Sequence, residues 1–274
     1  MKDILQEIIA SKRVELVTVK KKRNSMKRAL AESDSGIIAE FKMKSPSKGW
    51  IHPDIRVEDV VQQYANGGAS ATSILTNTEY FGGEDVFIPR VRGLVPLLPI
   101  LRKEFIIDRY QVYEAKVLGA DAILLIAAAI TPEEYTDLLQ TAHCIGLEVL
   151  LEIHDEKELT YLSAGIPDML GVNNRSLGTF HTDVQHSFDM AEKIQEAVKD
   201  LSEEEKPLLV SESGINSPEI VKKLRDVGFR GFLIGEYFMQ DADPGKVLAE
   251  FITQLKSLNK SHSIENQLIG RHFN

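Results

Sequence analysis

The sequence predicts an α/β fold, a single (β/α)8 TIM barrel with an N-terminal helical extension. Short apolar runs recur eight times, at 37–41, 70–75, 97–101, 122–127, 147–153, 169–172, 207–211 and 231–235. Their starts lie about 22 to 38 residues apart, the room that one strand–loop–helix–loop unit takes. Each run has the length of a strand and is too continuous to keep one face in water, as expected of parallel strands covered on both sides. Segments of helical period lie between the runs, among them VEDVVQQYANGG, RYQVYEAKVLGA, PEEYTDLLQTAHCIG and SPEIVKKLRDVGF.

The first strand begins only near residue 37, which leaves residues 1–36 as the helical extension. Several helices are expected to end on a glycine that supplies a left-handed residue: Gly68, Gly119, Gly146, Gly165 and Gly228. Thr131-Pro132, Ser217-Pro218 and Asp243-Pro244 each place a capping side chain before a proline suited to the first helical position. A last helix is expected over 244–257, and no Gly/Ser/Pro-rich linker divides the chain. Residues 37–257 therefore read as one catalytic barrel domain. Residues 258–274, of weak periodicity, are expected to form a partly disordered or loosely packed tail.

Composition narrows the class. The chain has 274 residues, 43% hydrophobic and 27% charged, as in an ordinary soluble globular protein. Neither a membrane helix nor a signal peptide is apparent in its apolar runs. The lone Cys144 rules out an internal disulfide and suits a reducing, cytoplasmic setting. Residues 1–30 carry nine Lys/Arg against three Asp/Glu, while the remainder carries 23 against 38. A basic arm on an acidic body raises nucleic acid as a partner, but KKKRNSMKR has no interleaved aromatics. A solvated helix face is the plain reading, and a basic helix near an anionic substrate is the alternative. Neither nucleic acid nor membrane is expected as a partner.

In a barrel of this kind the reactive face lies at the carboxyl ends of the strands. Strand 1 ends on Glu40 and Lys42, two apart and so on one face. Strand 2 ends on Thr76-Asn77, strand 3 on Lys103, strand 5 on Glu152, and strand 6 on Asn173 and Arg175. Strand 7 ends on Ser211, Glu212, Ser213 and Gly214, and strand 8 on Gly235 and Glu236, while strand 4 ends apolar. Singly, a lysine after a strand marks solvent and a glutamate caps the next helix. Together they describe a rim of charged and amide groups with an apolar wall, a pocket for an anionic, partly aromatic small molecule. Ser213-Gly214 and Gly235 stand where barrels commonly bind phosphate through backbone N–H groups, so a phosphate ester is the expected substrate.

These residues lie in IIAEFKMKSPSKG, LRKEFIID, ADAILLIAA, LEVLLEIHDE, GVNNRSLGTF, LVSESGI and FLIGE. In that order and spacing they resemble the indole-3-glycerol-phosphate synthase family over roughly residues 4–257. The resemblance implies ring closure, decarboxylation and dehydration of 1-(2-carboxyphenylamino)-1-deoxyribulose 5-phosphate in tryptophan biosynthesis, with no cofactor and no metal. It implies Lys103 as general acid, Glu152 as base, Lys42 as an anion contact sharing acid duty, and Glu40 as the group that holds Lys42. Asn173 and Arg175 would orient the amine and carboxylate end. Ser45, Ser213, Gly214 and Gly235 would gather the phosphate, with Glu212 and Glu236 also in the substrate site, and Leu124 would face the aromatic ring. Association with other enzymes of that pathway stays open.

Three positions depart from the family pattern: Glu104 where Asp is frequent, Glu84 where a small hydroxyl residue is, and Ser176 where Asp is. The last puts the support of Arg175 in question. The seven histidines lack metal-ligand spacing. His154 could reach the rim, although a helix-start role is the plainer reading, and Trp50 reads as packing at a loop edge rather than lid contact. The rival readings are another phosphate-binding barrel, of the phosphoribosylanthranilate isomerase type, and a catalytically inactive ligand-binding barrel. The first would want a Cys and an Asp at strand ends, whereas Cys144 falls in a helix.

Overall fold

Continuous apolar runs can stay out of water only if both faces of the sheet are covered, and closure into a barrel achieves this. In the computed structural model eight parallel strands close into such a barrel: β1 Ile37–Phe41, β2 Ala71–Leu75, β3 Ile100–Lys103, β4 Ala122–Ile126, β5 Glu148–Ile153, β6 Met169–Asn173, β7 Leu208–Glu212 and β8 Gly231–Ile234. Residues 4, 6, 8–13, 24–176, 178 and 181–270 are described, the side chains of 261–270 excepted. The basic residues 20–23 lie outside them. Strand β8 closes on β1 in the register Ile37↔Phe232, Ile38↔Leu233 and Ala39↔Ile234.

Strand periodicity then sorts the side chains. Ile37, Ala39 and Phe41 join the apolar layer beneath the helices. Ile38 instead packs inside the barrel with Leu101, Leu124, Leu150, Met169 and Leu233. The bottom of this inner core is stopped by α1, Met26–Glu32, whose Met26 and Leu30 are fully buried in it. Glu148, at the start of β5, fastens α1 there by accepting hydrogen bonds from Ser25 Oγ at 2.5 Å, Met26 N at 2.7 Å and Lys27 N at 3.0 Å. Those N–H groups have no partner within the helix, so the carboxylate satisfies them and meets the positive end of the helix dipole.

The outer helices are α2 Val57–Gly67, the short α3 Thr78–Phe81, α4 Phe87–Arg92, α5 Arg109–Leu118, α6 Pro132–Ile145, α7 Gln185–Ala197, α8 Pro218–Asp226, the short α9 Glu236–Met239 and α10 Pro244–Gly270. The expected caps form: Thr131 accepts from Glu134 N, Ser217 from Ile220 N and Asp243 from Lys246 N. Gly119, at φ 98°, ends α5 in the left-handed conformation that a glycine adopts without strain.

Two boundaries differ from the sequence reading by three residues or more. Strand β3 starts at Ile100 rather than 97, and Leu97 is 84% exposed. Prolines at 96 and 99 lack the N–H that a ladder needs, and Pro99 contributes only its carbonyl, which accepts from Thr72 N. The last helix also continues past 257 to Gly270. Between β1 and α2, Lys44–Ser45 and Gly49–Trp50 pair as a small antiparallel ribbon. Trp50 rests against Gly82, where a β-carbon would come within 2.8 Å of the indole ring. No helix among the described residues is long and apolar enough to cross a membrane.

Candidate active site

Four charged side chains point inward near the carboxyl ends of alternate strands: Glu40 on β1, Lys103 on β3, Glu152 on β5 and Glu212 on β7. A layer of a barrel interior is commonly filled in this way, by side chains from every second strand. Here the layer holds three carboxylates and one ammonium. Lys103 reaches across it, Nζ lying 2.7 Å from Glu212 Oε2 and 3.3 Å from Glu152 Oε2. Lys42 ion-pairs with Glu40 at 3.2 Å, and Ser73 donates to the other oxygen of Glu40 at 3.3 Å.

Burial alone would lower the basicity of Lys103, but Glu212, Glu152 and Glu40 outweigh it and hold the amine protonated well above the usual lysine range. The two carboxylates nearest it diverge. Burial would raise Glu152, yet Lys103, His154 and Asn173 prevail and keep it ionised far below the ordinary range. Glu212 is pushed up to about 7, chiefly by burial, with Lys103 opposing and Glu152 adding repulsion. The shorter contact to Lys103 thus belongs to the carboxyl that ionises less readily, and the remaining donors explain why. Glu152 Oε1 receives Asn173 Nδ2 at 2.9 Å, whereas Glu212 Oε1 is buried with no hydrogen-bond partner among the described residues. The layer therefore presents one fixed cation, one carboxylate held ionised and one carboxyl able to hold a proton near neutrality.

Glycines on intervening strands make this crowding possible. A β-carbon at Gly171 on β6 would overlap Glu212 Oε1. One at Gly235, just past β8, would lie 2.6 Å from Glu40 Oε1. Gly235 was expected for close approach of a phosphate; the structure adds that Glu40 already needs the space. Gly171 opens the motif GVNNRSLGTF, which by itself suggested no such role for it.

Beside the charged layer opens a cavity of about 550 Å³ bordered by Glu40, Lys42, Arg175, Ser213, Gly214, Gly235 and Glu236, all expected site residues. Lys103, Glu152, Glu212 and Asn173 do not border it. They form the bonded cluster next to it, and Glu40 belongs to both, since its charge also acts on Lys103 and Glu212. Ser213 and Gly214 form a turn with φ of 69° and 76°, and Ser213 is the one non-glycine residue of positive φ among those described. Arg175 ion-pairs with Glu236 at 3.0 Å and donates to Thr182 Oγ1 at 3.3 Å. Glu236 thus supplies the acidic support that Ser176 lacks.

Two expected residues belong neither to the cavity lining nor to the bonded cluster. Ser45 is buried, and its hydroxyl accepts from Lys48 N at 3.2 Å within the ribbon turn. Leu124 lies one layer deeper in the inner core, in register with Leu150, while Ile126 is the β4 residue level with Glu152. Extending the alternation by two positions would have reached Ile126. His154, read as a helix-start residue, instead places Nε2 3.3 Å from Glu152 Oε1, with neither ring nitrogen in a well-aligned hydrogen bond. Burial lowers its pKa, but Glu152, with Glu158 and Glu212, raises it overall. Glu104 accepts from Thr76 Oγ1 and Asn77 Nδ2, which ties the ends of β2 and β3 together.

Known proteins share both the architecture and the sequence. A thiamine phosphate pyrophosphorylase from Pyrococcus furiosus superposes with a TM-score of 0.57 at 15% identity, covering 82% of this chain and 96% of that one; this likeness shows the barrel fold alone. An indole-3-glycerol phosphate synthase of Bacteroides thetaiotaomicron is 53% identical over 272 residues, covering 93% of this chain and all of the relative. One of Carboxydothermus hydrogenoformans is 42% identical over 226 residues, 82% of each chain. The family model for indole-3-glycerol phosphate synthase matches residues 3–251, a span that includes all eight strands and every residue of the charged layer. The chain belongs to the indole-3-glycerol phosphate synthase family.

Proposed function

We propose that this chain converts 1-(2-carboxyphenylamino)-1-deoxyribulose 5-phosphate to indole-3-glycerol phosphate, carbon dioxide and water, with Lys103 as acid and Glu152 as base. The observation that carries this reading is the position of Lys103 Nζ between Glu212 and Glu152, at 2.7 and 3.3 Å, beside a cavity large enough for such a substrate. As the aromatic carbon attacks the C2′ carbonyl, negative charge grows on its oxygen, and the protonated Lys103 is the donor that can quench it. Loss of carbon dioxide and of the C2′ hydroxyl as water then requires a group to accept the proton removed from the ring being formed. Glu152, the carboxylate aimed by Asn173 Nδ2, is the group placed to accept it.

Glu40 holds Lys42 at the cavity edge, where its ammonium can meet an anionic group of the substrate. Arg175 serves the carboxylate end, and the turn Ser213-Gly214, with Gly235 opposite, gathers the phosphate. Because every one of these groups comes from a single barrel, residues 37–257 act as one catalytic unit. The product assay is direct: purified protein incubated with the carboxyphenylamino substrate should release carbon dioxide and indole-3-glycerol phosphate in equal amounts. Turnover of phosphoribosylanthranilate instead, or of neither compound, would overturn the proposal.

A further inference from the structure

Asn174 is the residue after the expected Asn173, and no role follows for it from the motifs. It is 4% exposed, and its amide makes four hydrogen bonds. Oδ1 accepts from Ser187 N at 3.0 Å and Ser187 Oγ at 2.8 Å, at the start of α7. Nδ2 donates to Ser211 Oγ at 3.1 Å on β7 and to the carbonyl of Ser213 at 3.0 Å. Its backbone is pinned as well, its N–H donating to Glu212 O at 2.9 Å and its carbonyl accepting from Asp183 N at 3.1 Å. An amide with its whole capacity satisfied inside the fold is a fixed point, since any rotation would strand several buried groups.

What this point holds is the one strained residue of the site. Ser213 sits at φ 69°, which a residue with a β-carbon adopts only against a steric cost. Successive residues at a strand end face opposite ways, so the two asparagines grip Ser213 from two sides. Asn173 Oδ1 accepts its hydroxyl at 2.9 Å, and Asn174 Nδ2 binds its carbonyl. Asn173 also donates to Glu152 Oε1 at 2.9 Å. The turn at Ser213 and the base Glu152 are thus joined by a short chain of hydrogen bonds anchored on Asn174.

We infer that Asn174 is a positioning residue that holds Ser213 in the left-handed conformation and so sets both the phosphate-binding turn and, through Asn173, the aim of Glu152. The inference rests on the reading of Ser213-Gly214 as the phosphate site. Inorganic phosphate as a competitive inhibitor is the probe. Asn174→Asp keeps the acceptor toward Ser187 but loses both donors of Nδ2; the Ser211 hydroxyl can turn and donate in exchange, whereas the Ser213 carbonyl cannot. The variant should raise the phosphate inhibition constant and KM together by about tenfold, the effect of losing one buried hydrogen bond. Adding Ser213→Gly, which accepts a positive φ freely, should bring the phosphate constant back to that of Ser213→Gly alone. Asn174→Ala, which loses all four side-chain bonds, should raise the phosphate constant at least as much as Asn174→Asp does. A lowered Tm with an unchanged phosphate constant in either variant would overturn the inference, as would full additivity with Ser213→Gly. Wild-type protein that inorganic phosphate does not inhibit would overturn the phosphate-site reading itself, an outcome distinguishable from the others.

Discussion

Gly171 and Glu212 occupy one space: the side chain that Gly171 lacks would overlap Oε1 of Glu212, a buried oxygen without a hydrogen-bond partner among the described residues. The glycine on β6 therefore does not loosen the strand. It houses a carboxylate that meets Lys103 on the opposite side of the barrel. Gly171→Ala must shift either the strand or the carboxylate, and overpacking of this kind costs about 1–3 kcal/mol. We expect kcat to fall at least ~10-fold, the equivalent of about 1.4 kcal/mol in the barrier. A variant with wild-type kcat and Tm would mean that Glu212 does not depend on that space.

Lys103→Ala and Glu152→Gln should each lower kcat by at least ~100-fold, the usual size for loss of an acid–base group. Glu152→Gln keeps the shape and contacts near Asn173, so its effect isolates the charge. Steady-state kinetics with near-normal turnover in either variant would remove that residue from the proposed chemistry.

Lys42 borders the cavity and is tied to Glu40, whereas Lys103 lies in the bonded cluster beside it. Lys42→Ala should therefore act mainly on KM, and Lys103→Ala mainly on kcat. An unchanged KM in Lys42→Ala would count against its role as an anion contact.

Glu212 links the site to the pH dependence of stability. Its carboxyl titrates near 4.5 when unfolded and is pushed up to about 7 in the fold, chiefly by burial. Between those values the folded chain holds a proton that the unfolded chain has lost, so this group's contribution falls as pH rises from about 4.5 through about 7. Glu212→Gln removes the titration. Its Tm should lose less than the wild type over pH 5–8, measured by thermal unfolding at closely spaced pH values. Parallel curves for the two proteins would show that Glu212 is not the responsible group.

Much of this site was legible in the sequence. Period-two alternation placed Ile38, Glu40 and Lys42 on one face and Ile37, Ala39 and Phe41 on the other, and the two apolar layers separate in that way. The same alternation picked out Lys103, Glu152 and Asn173 at strand ends. It failed for β3, where two prolines moved the start to Ile100. His154, two residues past Glu152, was given the plainer helix-start role, and the structure adds that its ring lies 3.3 Å from that carboxylate.

By itself, then, the sequence determined the fold class, the strand ends where charged and amide groups gather and the family, because these rest on local periodicity and on motifs read along the chain. Only the tertiary structure decided which charges meet. Lys103 finds Glu152 and Glu212 at separations of 49 and 109 residues. Barrel closure brings alternate strands into one layer, and the relative stagger of the strands sets which residues stand level there. The same geometry assigned Gly171 to make room for Glu212, and it held one carboxyl ionised and made its neighbour a reluctant acid through burial and donor count, quantities that exist only once the chain has folded.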